Sequence, residues 1–281
     1  MEAPPLQQQL ASFLLDFVRL WVWLALLSIV FVPLERRWAL RPQKLFRAAF
    51  GTDLVYYFLS GLAPKLLLIL PMTLIAAALH RAEGHGLYAW VAGLPVWMRL
   101  TAAIIVGEIG SYWGHRWSHE VPLLWRFHAI HHSAEEIDWL VNSRAHPVDL
   151  VFTRLCGLAP MYILGLAQPM GNRVDLVPVL VTLAGTLWGF FIHANVTWRL
   201  GWLEWFVSSP AFHHWHHTND TRIGNYAPML PWVDKVFGTF YLPKREWPGK
   251  YGIDAPTPSG FVNQLLQPLL LQEPQAGPWR R

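Results

Sequence analysis

Residues 10–34 read LASFLLDFVRLWVWLALLSIVFVPL, an apolar run whose charged residues are Asp16 and Arg19. The run exceeds the ~20 apolar residues that cross the ~30 Å hydrocarbon layer of a bilayer as a helix. It is too long for the apolar segment of a signal peptide, no basic segment precedes it, and no cleavage site follows it. We therefore predict a retained membrane anchor at this position.

The composition of the 281-residue chain is also typical of a membrane protein. Hydrophobic residues make up 53% and charged residues 14%, whereas soluble domains carry about 25% charged residues. Seventeen tryptophans stand against eight tyrosines, and the net charge of +4 suits an anionic membrane surface. The single cysteine, Cys156, excludes a disulfide framework and a thiolate metal site. The composition thus excludes a disordered chain, a nucleic-acid-binding domain and a secreted disulfide scaffold.

Four further apolar runs lie at about 53–79, 96–113, 148–166 and 174–198. Each is close to spanning length, and none belongs to a series of segments with the two-residue alternation of a membrane β-barrel. Pro64 and Pro71 predict a kink or a re-entrant shape in the first of these runs, because proline removes a helical hydrogen bond. We predict an all-α integral membrane protein with a bundle of about four to five transmembrane helices.

Basic residues set the predicted orientation. The segment Glu35–Arg47 carries five positive charges against one negative charge, and the positive-inside rule places it in the cytoplasm. The last two spans then form a hairpin that turns near Gln168–Arg173 and returns the chain to the cytoplasmic face at His193. This topology gathers eleven of the thirteen histidines on the cytoplasmic face, and only His80 and His85 fall opposite.

The histidines occur in clusters with spacings of three and four, which place side chains on one face of a helix. Two clusters share the pattern Phe-His-x-x-His-His-[Ser/Thr], beginning at Phe127 and at Phe212. This repetition predicts matching roles for the two clusters about two metal ions. The clusters are His115-Arg-Trp-Ser-His119, His128-Ala-Ile-His131-His132, Arg144-Ala-His146-Pro147, His193 alone, and His213-His214-Trp-His216-His217.

Imidazole suits zinc, copper, iron and nickel as a ligand. Eight to ten histidines exceed the three or four ligands of a single zinc. Arg116 and Trp117 also stand where the His-Glu-x-x-His motif of zinc peptidases carries its general base. The Glu-x-x-His pairs of soluble di-iron proteins do not occur at these clusters. These observations favour a histidine-rich dinuclear centre of non-haem iron. We expect His80, His85 and His214 to lie outside it.

These motifs resemble the fatty acid hydroxylase/sterol desaturase superfamily of integral-membrane di-iron oxygenases. The resemblance covers about 107–241. It is carried by the clusters at His115-x3-His119, Leu124-Trp-Arg-Phe-His128-x2-His131-His132-Ser133, Arg144-x-His146-Pro147, His193-Ala-Asn195 and Pro210-x2-His213-x2-His216-His217, followed by Asn225-Tyr226 and Asp234-Lys-Val-Phe-Gly-Thr239.

The resemblance implies a transmembrane stem topped by a cytosolic helical cap that holds a histidine-rich di-metal site. It also implies a single domain over 1–281, with an N-terminal anchor and basic loop (1–50), a catalytic region (107–241) and a C-terminal tail (242–281). His193 matches a further ligand region, and His146 is expected to be a ligand or to support one. The implied metal ligands are His115, His119, His128, His131, His132, His146, His193, His213, His216 and His217.

The activity implied by the resemblance is the hydroxylation or desaturation of a lipid C–H bond with O2. The cofactors would be two non-haem iron ions, with zinc as a possible substitute. The substrate would be a fatty acyl chain, a sterol or a related lipid from the bilayer. A separate electron-donor protein is expected, because the chain has no dinucleotide fingerprint and no cysteines for an iron–sulfur cluster. A zinc-dependent membrane hydrolase and a non-enzymatic metal-binding membrane protein are the alternatives.

Two features outside the clusters carry expectations of their own. Arg19, Lys65, Arg99 and Arg154 lie in or near the predicted spans, where we expect their side chains to snorkel to the headgroups. The apolar stretch Phe261–Leu271 is too short to span a membrane, so it should lie along the interface or pack against the domain.

Overall fold

A computed structural model of the protein describes residues 6–81, 85–167, 176–220 and 222–270. These residues form eleven α-helices and three 3₁₀ segments, with two isolated β-bridges and no strand. The predicted all-α fold is therefore confirmed. The helices are α1 (Leu6–Trp38), α2 (Phe50–Leu67), α3 (Ile69–Arg81), α4 (His85–Gly93), α5 (Val96–Glu120), α6 (Pro122–His132), α7 (Pro147–Ile163), α8 (Leu176–His193), α9 (Pro210–His216), α10 (Trp232–Phe237) and α11 (Phe261–Leu266).

The long apolar helices form a membrane-spanning bundle. Within the described ranges, α1, the α2–α3 segment and α8 are long and apolar enough to cross a bilayer, and the bent pair α4–α5 raises the number to four. Helix α7 has 17 residues, which is the lower limit of spanning length, and it is slightly shorter than the predicted run 148–166. The predicted turn of the last hairpin, Gln168–Arg173, lies outside the described residues.

The interruptions of the spanning helices occur at prolines. Helix α2 ends at Leu67 and α3 begins at Ile69. Pro71 cannot donate to the carbonyl of Leu67, which lies four residues before it. The predicted kink thus takes the form of a break at Leu68. A sharper bend of 119° separates α4 from α5, and Pro95 stands there as the N-cap of α5.

Helices α5 and α7 pack closely because small residues face each other. A Cβ atom added at Gly110 would lie 2.1 Å from the backbone oxygen of Cys156, and one added at Gly114 would lie 2.7 Å from the Cβ of Cys156. Small residues allow this approach of two helix backbones, as they do at many membrane helix interfaces. The contact fixes the position of α5, which carries His115 and His119 at its C-terminal end.

The basic segment 35–47 packs against the residues that follow α8. The backbone N–H of Leu40 donates to the carbonyl of Asn195 at 3.2 Å, and the side-chain amide of Asn195 donates to the carbonyl of Arg41 at 2.8 Å. Glu35 accepts a hydrogen bond from the backbone of Asn195 at 2.9 Å. The basic segment and His193 therefore lie at the same end of the helix bundle, as the predicted topology requires.

The C-terminal apolar stretch packs against the domain. The ring of Phe261 meets the ring of Tyr56 in α2 edge to face, with centroids 5.0 Å apart. The carbonyl of Leu265 contacts the ring nitrogen Nε2 of His146 at 3.1 Å. Of the two expectations for this stretch, packing against the domain is the one that the structure supports.

The α5–α7 contact predicts a clear difference between two glycine-to-alanine substitutions. Gly110→Ala should destabilise the protein by at least about 1–3 kcal/mol, because a methyl group has no room beside a backbone oxygen. Gly185→Ala in α8 is the matched control, since no atom lies within 4 Å of the added Cβ there. Thermal unfolding in detergent measures both. Equal melting temperatures for the two variants would contradict this packing.

Candidate metal centre

Nine of the ten histidines predicted as ligands come together in two groups. In each group one ligand atom per residue can be chosen so that all lie within 4.8 Å of one another. The two groups touch, because the rings of His132 and His217 stack with centroids 4.5 Å apart. Group one is His115, His119, His128, His132 and His216, and group two is His131, His193, His213 and His217.

The two groups are built from the C-terminal ends of four helices. Helix α5 contributes His115 and His119, and α6 ends on His131 and His132. Helix α8 ends on His193, and the last cluster occupies α9 and its C-cap. Pro122 and Pro210 start α6 and α9 at the first helical turn, where a missing N–H costs nothing. The C-terminal ends of the four helices carry partial negative charge, so together they favour a cation between them.

Five of the nine rings are held at Nδ1 by an acceptor outside the two groups. Because a carbonyl or carboxylate oxygen can only accept, each of these Nδ1 atoms carries the proton. The pairs are His115 with the carbonyl of Tyr226 (2.7 Å), His128 with Asp149 (3.0 Å), His131 with the carbonyl of Arg144 (3.0 Å), His193 with the carbonyl of Gly189 (2.7 Å) and His216 with the carbonyl of Gly224 (2.7 Å).

This anchoring leaves lone pairs facing each other inside both groups. The Nε2 atoms of His115 and His128 lie 3.2 Å apart, and those of His131 and His193 lie 3.3 Å apart. In the pair of His131 and His193, each neutral ring carries its proton at Nδ1, so no proton lies between the two Nε2 atoms. Two nitrogens that share one ion at the about 2.0–2.1 Å of zinc–histidine bonds lie at most about twice that distance apart, which these separations satisfy. The residues therefore fit a metal ion in each group.

Other nitrogens of the groups are buried without a hydrogen-bond partner. In the described part of the chain these include Nε2 of His119, His132 and His216, and Nδ1 of His213 and His217. A buried polar atom without a partner costs free energy. A metal ion in group one would use the lone pairs of the three Nε2 atoms. In group two, Nε2 of His213 and Nε2 of His217 face Nε2 of His193 at 2.9 Å and 3.2 Å, so these Nε2 atoms are the ones directed to a metal.

Protonation of a ring would also place a proton between facing nitrogens, but burial opposes protonation. Burial, reinforced by the neighbouring His128, lowers the pKa of His131 from its ordinary 6.5 to about 3. Burial also lowers the pKa values of His132, His213, His216 and His217 well below the ordinary value. These rings are therefore neutral at pH 7, which is the state in which an imidazole binds a metal.

The loop 224–226 supports group one through its backbone. Its carbonyls at Gly224 and Tyr226 hold the rings of His216 and His115. Asn225 has a positive φ of 58° and fixes the loop with side-chain hydrogen bonds to the backbone of Phe212 and Tyr241. A Cβ at Gly224 would lie 2.8 Å from the backbone oxygen of Thr239. Contacts with Phe212 on one side and with residues 239–241 on the other thus fix the distance of this loop from the histidines.

Two of the acidic residues near the site support the proposed ligands through hydrogen bonds. Asp234 accepts hydrogen bonds from the backbone N–H groups of Tyr226 and Ala227, each at 2.8 Å, and so holds the loop 224–226. Burial raises the pKa of Asp234 to about 6, while its hydrogen bonds act in the opposite direction. Asp149 contacts His128 directly and accepts a hydrogen bond from Ser118 at 3.1 Å.

A buried quartet of charges supports group two. Arg47 pairs with Asp53 at 2.6 Å and with Asp138 at 2.7 Å, and Arg144 also pairs with Asp53. Each of the four residues is no more than 6% exposed, and the two positive and two negative charges balance. Arg144 is held rigidly by this arrangement, and its carbonyl receives the Nδ1 proton of His131.

Two histidines of the clusters lie outside both groups. His146 is the N-cap of α7: its Nδ1 accepts from the backbone of Val148, and its Nε2 faces the carbonyl of Leu265. Both ring nitrogens are occupied, so we omit His146 from the proposed ligand set. His214 contacts the hydroxyl of Tyr251 and the carbonyl of Ala194, as expected for a residue that is not a ligand. His80 and His85 lie in α3 and α4, outside the four helices that build the groups.

The supporting backbone was not predicted from the sequence. The carbonyls of Gly189 and Gly224 belong to the backbone, so residue type does not reveal their role. Each glycine nevertheless lies within eight residues of the histidine whose ring its carbonyl holds. Arg47 was assigned only a role in orientation as one of five basic residues, whereas the structure buries it in the charged quartet.

The chain is similar to several known proteins. The profile of the fatty acid hydroxylase family matches residues 100–239. The ornithine lipid hydroxylase OlsE of Rhizobium tropici is 30% identical over 272 residues, which cover 92% of this chain and 78% of that protein. An alkylglycerol monooxygenase of Xenopus tropicalis is 32% identical over 50% of this chain and 29% of its own length. The methylsterol monooxygenase 2-2 of Arabidopsis thaliana is 29% identical over 52% of this chain and 55% of its own length. No solved structure matches the chain significantly.

Replacing the carboxylate behind His128 should weaken metal binding without removing a ligand. We expect Asp149→Asn to lower the metal affinity about 10–100-fold, the usual effect of losing a hydrogen-bonding partner of a ligating histidine. Competition with a chelator measures the affinity. Asp220→Asn is the matched control, because Asp220 belongs to neither group and pairs with exposed Arg222. Equal affinities of the two variants would contradict the role of Asp149.

The buried neutral rings predict a loss of stability in acid. The unfolded chain binds protons on its histidines near pH 6.5, whereas the folded chain, with the pKa of His131 at about 3, does not. The unfolded state therefore binds more protons between these values, and the free energy of unfolding should fall as the pH drops below about 6.5. Denaturant titrations in detergent between pH 8 and pH 5 measure this dependence. A free energy of unfolding that stays constant over this range would contradict the burial of neutral imidazoles.

Proposed function

Because the chain belongs to the fatty acid hydroxylase family, we propose that it is a membrane-bound oxidoreductase that hydroxylates or desaturates a lipid. The cofactors that we propose are two non-haem iron ions, and O2 is the co-substrate. The observation that carries the proposal is the pair of adjacent histidine groups in which buried Nε2 lone pairs face each other. Such a set has the ligands for two ions and no thiolate or bridging carboxylate among its members.

The proposed ligands of the two ions are the nine histidines of the two groups. When bound, a pair of iron ions supplies the O2-activating redox chemistry that no protein side chain provides. The number of imidazoles argues against a single zinc, which takes three or four protein ligands. Zinc remains a possible substitute, because imidazole binds both metals.

The chain's own residues hold the ligands and exclude water. Eight of the nine rings are buried, and His115 is half-buried. The rings of Trp125 and Tyr226 flank His119 with centroids 5.2 Å from its ring. Burial of the ligands and aromatic contacts of this kind help to keep solvent from an oxidising centre. The Nδ1 hydrogen bonds keep five of the nine rings in one tautomer, so that their Nε2 atoms stay directed to the metal.

A lipid substrate is supported by a cavity beside group two. The cavity has a volume of about 570 Å³ and lies between α1, α2, α7, α8 and the 3₁₀ segment Trp139–Ser143. Its lining reaches Phe190, which is three residues before His193, and Ser143, which precedes Arg144. Its lining helices are those that we place in the bilayer, so a lipid would reach the cavity sideways from the membrane. The relatives named above act on ornithine lipids, alkylglycerols and methylsterols according to their names.

The orientation and the electron supply are further parts of the proposal. We propose that the histidine groups face the cytoplasm, since the basic segment 35–47 lies at their end of the bundle. We also propose a separate electron-donor protein that meets this face, because the chain has one cysteine and no dinucleotide fingerprint. A single domain over 1–281 is supported by the packing of α11 on α2.

The proposal is tested by comparing the lipids of cells that contain and lack the protein, grown under isotopically labelled O2. Hydroxylation would give a lipid that carries oxygen derived from O2, and desaturation would give a lipid with two fewer hydrogens. A purified protein that contains zinc and hydrolyses lipids without O2 would contradict the proposal and favour a zinc hydrolase.

Substitution of one histidine in each group should abolish the reaction. His131→Ala and His216→Ala should reduce product to background and lower the bound iron, because each removes a ligand from a different group. Both variants should still insert into the membrane, since insertion depends on the apolar helices. His85→Ala is the control and should retain activity. Wild-type turnover in either ligand variant would contradict the assignment of the site.

A further inference from the structure

Arg154 stands apart from the other basic residues of the spanning helices. Arg19 and Lys65 both pair with Asp16, and Arg99 is buried and interacts with other residues. Within the part of the chain that the structure describes, Arg154 has no hydrogen-bond or ion-pair partner. Its side chain lines the cavity between α1, α2, α7 and α8.

Arg154 is an exposed residue at the edge of a mainly apolar cavity. The exposed lining of the cavity is mainly apolar, and it includes Leu20, Leu150 and Leu183. The charge of an ionisable residue at membrane depth is costly unless it pairs with an opposite charge or contacts water. An arginine that lines such a cavity without an internal partner therefore has the chemistry to receive an anionic group, in bidentate form if that group is a carboxylate or phosphate.

The depth of Arg154 matches the headgroup region of a bilayer. A Cβ atom added at Gly114 would lie 3.4 Å from the Cα of Thr153, so Arg154 is level with Gly114 across the α5–α7 contact. Gly114 follows Trp113, at which the predicted apolar run of α5 ends, and tryptophan is enriched at the boundary of the hydrocarbon layer. The cavity extends along α8 from Phe190, near the metal centre, to Pro178. This stretch corresponds to about 18 Å of helix at 1.5 Å per residue.

The cavity thus joins a cationic headgroup position to a long apolar channel. Its volume of about 570 Å³ lies within the roughly 300–1,000 Å³ of sites that bind small molecules. The cavity also approaches the metal centre. Leu150 and Arg154 share one face of α7, and Asp149, beside Leu150, contacts His128.

We propose that Arg154 binds the anionic headgroup of the lipid substrate, with its acyl chain in the channel along α8. Arg154 is thus a specificity-determining residue, and neutral lipids bind less tightly. The identification of this lipid as the substrate rests on the proposed function, whereas the binding of an anionic lipid at Arg154 does not. Carboxylate and phosphate headgroups share the anionic oxygens that the guanidinium recognises, so the experiment includes both.

Native mass spectrometry of the full-length protein in a non-ionic detergent tests the binding. The probes are oleate, dioleoyl phosphatidate and the neutral dioleoyl glycerol, each titrated against wild-type protein and against Arg154→Gln and Arg154→Lys. We expect one tightly retained anionic lipid in the wild type and at least a tenfold weaker affinity in Arg154→Gln. Arg154→Lys should retain part of the affinity. Dioleoyl glycerol should bind the three proteins equally, and the preferred anionic probe identifies the headgroup.

Arg37→Gln is the matched control, because Arg37 is an exposed arginine at the end of α1 that does not line the cavity. It should bind the anionic lipids as the wild type does. Equal affinity of Arg154→Gln and the wild type would overturn the proposal. An equal loss in Arg154→Gln and Arg37→Gln would also overturn it, since this result indicates non-specific attraction. Because binding is measured without turnover, its result does not depend on whether the protein oxidises lipids. A failure of this proposal is therefore distinguishable from a failure of the proposed function.

Discussion

The structure depends on pairs of imidazole nitrogens that face each other without a proton between them. In each histidine group two Nδ1 atoms donate to fixed acceptors, and the corresponding Nε2 atoms lie 3.2 Å or 3.3 Å apart. In the pair of His131 and His193 the two lone pairs repel each other, and burial opposes the proton uptake that would relieve the repulsion. A bound cation converts the same contacts into attraction, because each nitrogen then donates its lone pair to the ion.

The rest of the fold keeps these nitrogens in place. Four helices end at the site and direct their negative ends to it, and the close contact of Gly110 with Cys156 fixes the helix that carries His115. Asp234 holds the loop whose carbonyls orient two rings of group one. The charged quartet around Asp53 holds the carbonyl that orients His131. These supports cost free energy in buried charge and strained backbone, which is a common property of functional sites.

Much of the site could be predicted from the sequence because histidine spacing is a local property. The repeated Phe-His-x-x-His-His pattern becomes the C-terminal ends of α6 and α9, and nine of ten predicted ligands meet. His146 shows the limit of this reasoning, because its position at the N-cap of α7 depends on the tail that packs against it. The carbonyls that orient the rings were not predictable, since every residue has one. The apolar runs predicted the spanning helices, whereas the ion pairs of Arg47 and the position of Arg154 beside the cavity depend on tertiary packing.

The number of metal ions bound by the purified protein tests the central claim most directly. Elemental analysis, combined with an accurate measurement of protein concentration, gives this number without any assumption about substrate. Each of the two histidine groups contains a pair of facing Nε2 atoms. The account therefore predicts about two metal ions per chain, bound at neutral pH and released in acid. A folded protein that binds no metal, or a single ion held outside the two histidine groups, would contradict the account.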